Sequence, residues 1–390
     1  MNKQFHQSFV EKAKLIFGDD FIPLHRPVFE GNERQYLIDC IDSNFVSSVG
    51  ERVGEFEKRI AEFTGSKHAI ATVNGTAALH VAIELSGVKP GDEVISQALT
   101  FIATCNAITY AGAKPVFIDV DLATMGMSPN ALQAFLESSA ERRVDGTFNK
   151  ISGNKISACV PMHTFGFPCR IEEITEICAE WNIALIEDAA ESLGSFVGGN
   201  HTGTFGSMAT LSFNGNKVIT TGGGGMIITD NPKIASHAKH ITTTAKVPHT
   251  YEFLHDEIGY NYRMPNLNAA LGCAQMERLE EFLIIKKDLS SQWHEFFNKM
   301  GIDFVKAEKG SKANHWLNTI ILNSREDRDE FLKVTNDNNI MTRPIWTLMS
   351  KLPMFEQCQT DGLKNSLWLQ DRVVNIPSSV PNGSLKRQDK

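Results

Sequence analysis

The chain has 390 residues, of which 42% are hydrophobic and 22% are charged, a composition typical of a globular protein with a large core and two domains. Its 38 basic and 46 acidic residues give a net charge of −8, which argues against a nucleic-acid surface as the main function. Seven cysteines without a CxxC pair favour reduced thiols, and no apolar run approaches the ~18 residues of a membrane span, so we expect a cytoplasmic protein without a membrane role.

The amino terminus, residues 1–22, is expected to carry a short amphipathic helix, because Phe5, Phe9 and Ala13 recur at helical spacing. This helix would dock on the rest of the protein or on a partner. From residue 23 to 255 we expect a large domain, opening with helices near 32–43 and 51–63. Between these helices, Ser47 and Ser48 fit a helix cap and a turn.

The strand expected at 68–73 is followed by NGTAALHVAIEL, which predicts a loop and then a helix. Gly75 has no side chain where backbone must approach a ligand, and a helix starting near Thr76 and Ala77 offers unpaired N–H groups to a phosphate. The same residues also cap helices that bind nothing. Since no GK[ST] follows and no GxGxxG enters a helix, a Walker loop and a nucleotide dehydrogenase are disfavoured.

Further strands are expected at 93–97, 114–120 and 156–161, with a helix near 129–136. The polar stretch ERRVDGTFNKISGNK predicts a loop or hairpin insertion. An amphipathic helix at 171–181 then leads into the next apolar run.

Two apolar runs between positions 183 and 230 end in polar residues. The run at 183–186 ends in Glu187 and Asp188, and the run at 208–213 leads through Ser212 to Lys217. Open α/β sheets place their chemistry at such strand ends. Catalysis with pyridoxal phosphate (PLP) requires a lysine amine, a carboxylate for the pyridine nitrogen and donors for the phosphate. Lys217, Asp188 and Ser212 are therefore candidates for these roles.

The local geometry around these residues can be predicted further. Successive side chains of a strand point to opposite faces, so Glu187 and Asp188 cannot both face one ligand. If a helical turn follows, Asp188 and Glu191 share a face, which leaves Glu187 as a structural or solvated acid. Only 12 residues separate Phe213 from Met226, too few for a helical crossover, so the strand at 225–229 should run antiparallel in a seven-stranded mixed sheet.

The carboxy-terminal part, 256–390, is expected to form a linking helical region and a smaller α/β domain after an irregular polar stretch at 241–264. Arg343, in TRPIWTLM, fits either a fork of donors for an anionic substrate group or a surface ion pair. His237 and His240 have helical i, i+3 spacing, but no third ligand is evident nearby, so no metal is predicted.

Three separated segments, EDAAESLGS, SFNGNK with its glycine tail and GYNYRMPNLNAALG, occur in order, and from about Ile22 to Ala274 the chain resembles the DegT family of sugar-nucleotide aminotransferases. The resemblance implies an α/β structure of PLP fold type I, PLP as cofactor with Lys217 as its attachment point, and a homodimer with composite active sites. It also implies that Phe101 covers the cofactor ring, and that Asn261 contacts the phosphate bound by the neighbouring subunit.

The resemblance further implies that Ser47, Ser48 and His163 lie near the substrate, although Phe101 and His163 also fit a plain core phenylalanine and a structural histidine. Many relatives carry His or Gln at position 191. A carboxylate beside the phenolic oxygen of PLP repels it unless one of the two holds a proton, so Glu191 is predicted to be protonated or to share a proton with that oxygen.

Within the family, HRPVFEGNERQYL, SNFVSSVGERVGEFEKRI and the insertion near 140–155 are most similar to enzymes that aminate C4″ of UDP-4-keto-6-deoxy-N-acetylglucosamine in bacillosamine and legionaminic acid pathways. Glutamate is the expected amino donor. A GDP-perosamine-type enzyme is the alternative, and the departure from a Tyr-Pro-Leu-His type of segment near Arg343 leaves the substrate open. A PLP sugar dehydratase is disfavoured because relatives with that chemistry replace the lysine with histidine, and a non-catalytic homologue would need neither Lys217 nor Asp188.

Overall fold

The computed structural model describes residues 3–385, apart from the side chain of Lys3. The helices are α1 (Lys3–Phe17), α2 (Glu33–Asp42), α3 (Glu51–Thr64), α4 (Gly75–Leu85), α5 (Ile102–Tyr110), α6 (Pro129–Ser139), α7 (Ile171–Glu180), α8 (Pro232–Thr242), α9 (Asn266–Met276), α10 (Leu279–Lys299), α11 (Arg325–Asp337) and α12 (Lys364–Gln370). Short 3-10 turns lie at Thr164–Gly166 and Met349–Lys351.

The strands are β1 (His68–Thr72), β2 (Glu93–Gln97), β3 (Lys114–Ile118), β4 (Ala140–Arg143), β5 (Gly146–Asn149), β6 (Lys155–Val160), β7 (Ala184–Asp188), β8 (Phe196–Val197), β9 (Asn200–His201), β10 (Met208–Ser212), β11 (Gly225–Thr229), β12 (Lys246–Val247), β13 (Leu254–His255), β14 (Asp303–Phe304), β15 (Ser311–Lys312), β16 (Asn318–Ile321), β17 (Arg343–Pro344) and β18 (Val373–Ile376).

The main sheet is mixed, and seven of its strands follow the order β1-β11-β10-β7-β6-β2-β3. The pairs from β10 through β7, β6 and β2 to β3 are parallel, whereas β11 is antiparallel to both β10 and β1. This confirms the antiparallel strand predicted from the short β10–β11 connection. The polar insertion forms the hairpin β4–β5, which adds two further strands because β5 pairs with β6.

Most strands of the main sheet are buried along their length, and helices cover both faces of the sheet, as parallel strands require. On one face α4, α5 and α8 pack against Ile70, Val94 and Ile227. On the other face α6 and α7 cover Ile95, Val116 and Leu185. Successive apolar residues of these strands therefore pack against helices on opposite faces of the sheet. The polar residues that follow them lie at the edge of the sheet where the strands end.

The carboxy-terminal part contains a second, four-stranded sheet of order β14-β16-β18-β17. Helix α1 packs here, since Phe5, Phe9 and Ala13 join Trp293 and Phe297 of α10 in one apolar cluster. The amino-terminal helix therefore docks on the body of the protein, which was one of the two expected outcomes. The domain limits at 22 and 255 stay a prediction. Within residues 3–385, no helix has both the length and the apolar character needed to cross a membrane.

Candidate active site

The carboxyl ends of β7 and β10 lie side by side, because these parallel strands pair with Thr210 opposite Asp188. Asp188 and Ser212 therefore emerge at the same edge of the sheet, beside a cavity of about 260 Å³. The cavity is lined by Asn74, Gly75, Thr76, Leu79, Phe101, Ala103, Met162, Asp188, Ala190, Glu191, Ser212, Asn214, Asn216, Lys217, Gly224, Trp316 and Trp346. The sequence motifs around 75, 101, 188, 212 and 217 thus converge on one cavity.

Lys217 lies in the connection between β10 and β11, and its amine reaches across the cavity to the turn after β7. Its Nζ is 3.2 Å from Glu191 Oε1, and the main-chain N–H of Phe165 donates to Glu191 Oε2 at 2.8 Å. Burial raises the pKa of Glu191 to about 7, although Lys217 and the Phe165 N–H act in the opposite direction. Glu191 is thus placed to exchange a proton near neutral pH, which agrees in direction with its predicted protonation.

Asp188 is buried at the end of β7 and is held by two hydrogen bonds. Thr104 Oγ1 donates to Asp188 Oδ2 at 2.7 Å, and the Ala190 N–H donates to Oδ1 at 3.2 Å. Glu187 lies outside the cavity and accepts the N–H groups of a neighbouring loop, from Gly203, Phe205 and Gly206. The two adjacent carboxylates therefore have different surroundings, and Glu187 is a structural acid.

The amino terminus of α4 faces the cavity. The Asn74 side chain accepts the Ala77 N–H at 2.7 Å, and the Ala78 N–H donates to Asn74 O at 3.1 Å. The N–H groups of Gly75 and Thr76 belong to the first turn, whose donors have no partner within the helix. The amino terminus of α4 and Ser212 thus form a cradle for a phosphate group. A Cβ on Gly75 would lie 3.0 Å from Ser212 Cβ, so the missing side chain keeps this cradle open. The amine of Lys217, the carboxylate of Asp188 and this cradle form a donor set that fits PLP.

Two tryptophans from the carboxy-terminal part complete the cavity, and sequence reasoning missed both. The Trp316 ring lies 3.9 Å from Lys217 Nζ, and its Nε1 donates to Asn216 O at 2.6 Å. Trp346 lies 6.1 Å from the ring of Phe101, which is 47% exposed at the cavity wall. Trp346 lies three residues after Arg343. The TRPIWTLM segment therefore contributes to the cavity through its tryptophan and not through its arginine.

Two expected substrate contacts are corrected by the structure. His163 is fully buried away from the cavity, with Nε2 3.0 Å from Glu187 and Nδ1 accepting the Cys169 N–H at 3.2 Å. It is therefore the structural histidine of the two alternatives. Arg343 lies exposed on the short strand β17, where its Nη1 donates to Asn336 Oδ1 and Thr342 O, both at 2.8 Å. Arg343 does not line the Lys217 cavity, and of the two alternatives its contacts in the single chain fit the surface role.

Ser47, Ser48 and Asn261 do not reach the Lys217 cavity of their own chain. Ser48 lines a separate surface groove of about 910 Å³, and the carbonyl of Ser47 accepts the Asn266 N–H at 2.8 Å. Asn261 is exposed in the segment after β13, where its backbone forms a bridge with Thr243. Their predicted contacts with ligands stay a prediction.

Comparison with known proteins places this geometry in a family. The model of the DegT/DnrJ/EryC1/StrS aminotransferase family matches residues 27–386. GDP-perosamine synthase of Escherichia coli O157:H7 is 36% identical over 360 residues, covering 92% of this chain and 93% of the relative. EpsN of Bacillus subtilis, named as a pyridoxal phosphate-dependent aminotransferase, is 36% identical over 369 residues, covering 94% of this chain and 92% of the relative.

The fold matches solved structures of similar length. The aminotransferase TlmJ from Streptoalloteichus hindustanus has a TM-score of 0.83 at 24% identity and covers 92% of this chain and 93% of its own. PseC of Helicobacter pylori has a TM-score of 0.82 at 19% identity, with 92% and 94% covered. These likenesses show PLP fold type I. Since the family model spans nearly the whole chain, the protein belongs to the DegT/DnrJ/EryC1/StrS aminotransferase family and is a PLP-dependent sugar aminotransferase.

Proposed function

We propose that this aminotransferase moves an amino group from glutamate onto the C4 ketone of a nucleotide-linked 4-keto-6-deoxy sugar. The observation that carries the proposal is the convergence of Lys217, Asp188, Glu191 and the α4 amino terminus on one cavity. When bound, PLP supplies an electron sink that stabilises negative charge at the reacting carbon. The chain's own residues then need to hold the cofactor and to move protons at that carbon.

Lys217 is proposed to attach the cofactor and, once released by the donor amine, to carry the proton between substrate and cofactor. A positioned general base of this kind contributes ~10²- to 10⁴-fold to the rate. Asp188, held by Thr104 and the Ala190 N–H, would keep the pyridine nitrogen protonated. Glu191 would share a proton with the phenolic oxygen of the cofactor, which its pKa of about 7 supports.

The remaining cofactor contacts are proposed from the cavity lining. The N–H groups of Gly75 and Thr76 and the hydroxyl of Ser212 would hold the phosphate, with the dipole of α4 favouring the anion. Ala77, whose N–H is bonded to the Asn74 side chain, would support this turn without donating to the phosphate. Phe101 would cover one face of the ring, since its side chain is exposed at the cavity wall. These contacts would fix PLP before the sugar enters.

Two sugar nucleotides are candidates. Sequence segments near the amino terminus resemble enzymes that act on UDP-4-keto-6-deoxy-N-acetylglucosamine in bacillosamine or legionaminic acid pathways. Relatives at 35% and 36% identity are instead named GDP-perosamine synthases, which supports a GDP-linked sugar as the second candidate. The two candidates differ in nucleotide and sugar and share amination of a ketone.

A substrate screen tests the proposal. The PLP-loaded protein is incubated with glutamate and either keto-sugar nucleotide, and products are identified by mass and by the configuration of the new amine. We expect an amino sugar from one candidate, with no product from Lys217→Ala. Borohydride-treated protein should yield a labelled peptide spanning position 217. Absence of that peptide, or a product from Lys217→Ala, would contradict the assigned role of Lys217.

We further propose a cytoplasmic homodimer with composite sites, in which Asn261 contacts the phosphate bound by the neighbouring subunit. Asn261 is exposed and is not among the residues that line the cavity of its own chain, which supports this arrangement. Exposed apolar side chains in the same segment, including Tyr251, Phe253 and Ile258, would be covered by the partner.

Subunit mixing tests the composite site. Lys217→Ala and Asn261→Ala are each expected to be inactive as pure dimers. Dimers reassembled from both variants should regain activity, because one of their two sites combines an intact Lys217 with an intact Asn261. Mixed dimers that form, as seen by native mass spectrometry, but stay inactive would refute the composite site without affecting the role of Lys217.

A further inference from the structure

A cluster of possible metal ligands lies at the carboxyl end of α8, on a surface distinct from the Lys217 cavity. His240 Nε2 is 2.6 Å from Asp256 Oδ1 and 3.6 Å from Glu257 Oε1. One ligand atom from each of these three residues lies within 4.8 Å of the others. In the sequence, His237 and His240 had no third ligand nearby. The fold brings Asp256 and Glu257, which lie 16 and 17 residues after His240, next to it.

Backbone hydrogen bonds hold the two contributing segments together. The Asp256 N–H donates to Ala245 O at 3.3 Å, and the Thr244 N–H donates to Tyr260 O at 3.0 Å. The hairpin β12–β13 pairs Lys246 with His255 directly before the carboxylates. The backbone of the carboxylate segment is thus anchored on both sides of Asp256 and Glu257, so little chain ordering is needed to bring the ligand atoms together.

One glycine allows this close approach. A Cβ on Gly259 would lie 2.5 Å from the main-chain nitrogen of Ala245, closer than real atoms come. The chain can therefore pass directly over the end of α8 only because residue 259 has no side chain. This contact fixes the distance between the carboxylates and His240.

We propose that His240, Asp256 and Glu257 bind a divalent transition-metal ion, with Zn²⁺ as the representative cation. One imidazole nitrogen and two carboxylate oxygens are ligands that Zn²⁺ uses at ~2.0–2.2 Å, leaving a coordination position for water. The imidazole selects against Mg²⁺ and Ca²⁺, which prefer oxygen ligands. His237, whose Nε2 is 3.0 Å from both Glu257 oxygens, orients that carboxylate as a positioning residue.

Charge and access also favour a cation here. Asp256 and Glu257 are adjacent carboxylates, and each contacts a histidine of α8. A bound cation would take the place of these imidazole–carboxylate contacts and would be neutralised by the two acids. The side chains of His240, Asp256 and Glu257 are 26%, 58% and 40% exposed in the single chain, so the proposed dimer contact of Tyr251, Phe253 and Ile258 must leave this cluster open to an ion. This inference does not depend on the proposed PLP reaction.

The test is calorimetric titration of the full-length, PLP-loaded protein with Zn²⁺, and with Mg²⁺ as the comparison ion. We expect one saturable Zn²⁺ site per chain and no comparable site for Mg²⁺. His240→Ala should abolish saturable binding, and His237→Ala should weaken it by about 10-fold, as loss of an orienting partner does. Co²⁺ bound in the same site should show an absorption spectrum that His240→Ala removes.

His249→Ala provides the matched control. His249 is also a partly exposed histidine in this surface segment, with Nε2 4.0 Å from Glu252, but it is not part of the cluster. We expect its Zn²⁺ affinity to equal that of the unmodified protein. All of these positions are at the surface, so circular dichroism should confirm folded variants. Unsaturable Zn²⁺ binding, or equal Zn²⁺ binding by the His240→Ala and His249→Ala variants, would overturn the proposal.

Discussion

Glu191 is the residue of the cavity whose ionisation is most altered by the fold. Burial raises its pKa from 4.5 in an exposed side chain to about 7. Because the folded state holds this proton more tightly than the unfolded state, the stabilising contribution is present below about pH 4.5 and is lost as pH rises through 7. The carboxyl group that contacts Lys217 therefore costs stability when it ionises.

Replacing Glu191 with glutamine should remove this pH dependence. In both cofactor-free proteins the free energy of unfolding is measured at pH 5 and at pH 7.5. We expect the decrease between these pH values to be larger in the native protein than in Glu191→Gln, by up to about 3 kcal/mol. Urea unfolding at the two pH values measures the difference, and the surface variant Glu356→Gln serves as the control. In the PLP-loaded protein, an unchanged pH dependence of cofactor absorbance in Glu191→Gln would contradict proton sharing by this carboxylate.

Gly75 is a residue whose missing side chain matters directly. A Cβ there would lie 3.0 Å from Ser212 Cβ and 3.2 Å from its Oγ, in the space proposed for the phosphate. Gly75→Ala should therefore weaken PLP binding by at least about tenfold, roughly 1.4 kcal/mol, in a cofactor titration followed by absorbance. Gly54→Ala in α3, where an added Cβ meets nothing within 4 Å, should leave the affinity unchanged. Equal affinities for all three proteins would argue against the cradle.

At the scale of elements, the Lys217 connection depends on a contact with a distant segment. Trp316 holds this connection through its bond to Asn216 O and covers the Lys217 amine with its ring. Asn314, two residues earlier, donates to the carbonyls of Glu191 and Leu193 at 2.8 and 2.9 Å. One short segment thus fixes both the lysine and the carboxylate that faces it.

Trp316→Phe should slow amination by about tenfold, because the loss of the Asn216 bond lets the lysine leave its reactive position. The buried variant Trp293→Phe is the matched control, since Trp293 Nε1 also donates to a main-chain carbonyl, Pro377 O, at 3.0 Å. Each variant should lose about 1 kcal/mol of unfolding free energy through the missing hydrogen bond. If the amination rates fall equally, the contact between Trp316 and the Lys217 connection has no special role.

At the scale of the whole molecule, the first helix is joined to the last part of the chain. Phe9 is fully buried and stacks on Trp293 with ring centroids 5.4 Å apart. Phe9→Ala should lower the free energy of unfolding by about 3–5 kcal/mol through cavity formation. Leu15→Ala in the same helix, at a side chain that is 80% exposed, should change it by less than about 0.5 kcal/mol. Similar losses in both variants would contradict docking of α1 on the body of the protein.

The sequence by itself determined the sheet and most of the cavity. Apolar runs ending in Asp188 and Ser212 predicted neighbouring strand ends, and the short β10–β11 connection predicted an antiparallel strand, because both follow from local periodicity and chain length. Gly75 and Lys217 were found because their chemistry is restricted to few residue types. The helical turn expected after the strand placed Glu191 on the face of Asp188, and the family motifs then added Phe101.

Only the tertiary structure decided the contacts between distant segments. No local pattern relates Trp316 to Lys217 across 99 positions, or Asp256 to His240 across a hairpin, because such pairs depend on how whole elements pack. For the same reason, the sequence left two alternatives open for His163 and for Arg343. A histidine after a strand and an arginine before a tryptophan have the right chemistry for a site, but burial against Glu187 and exposure on β17 fix their actual partners.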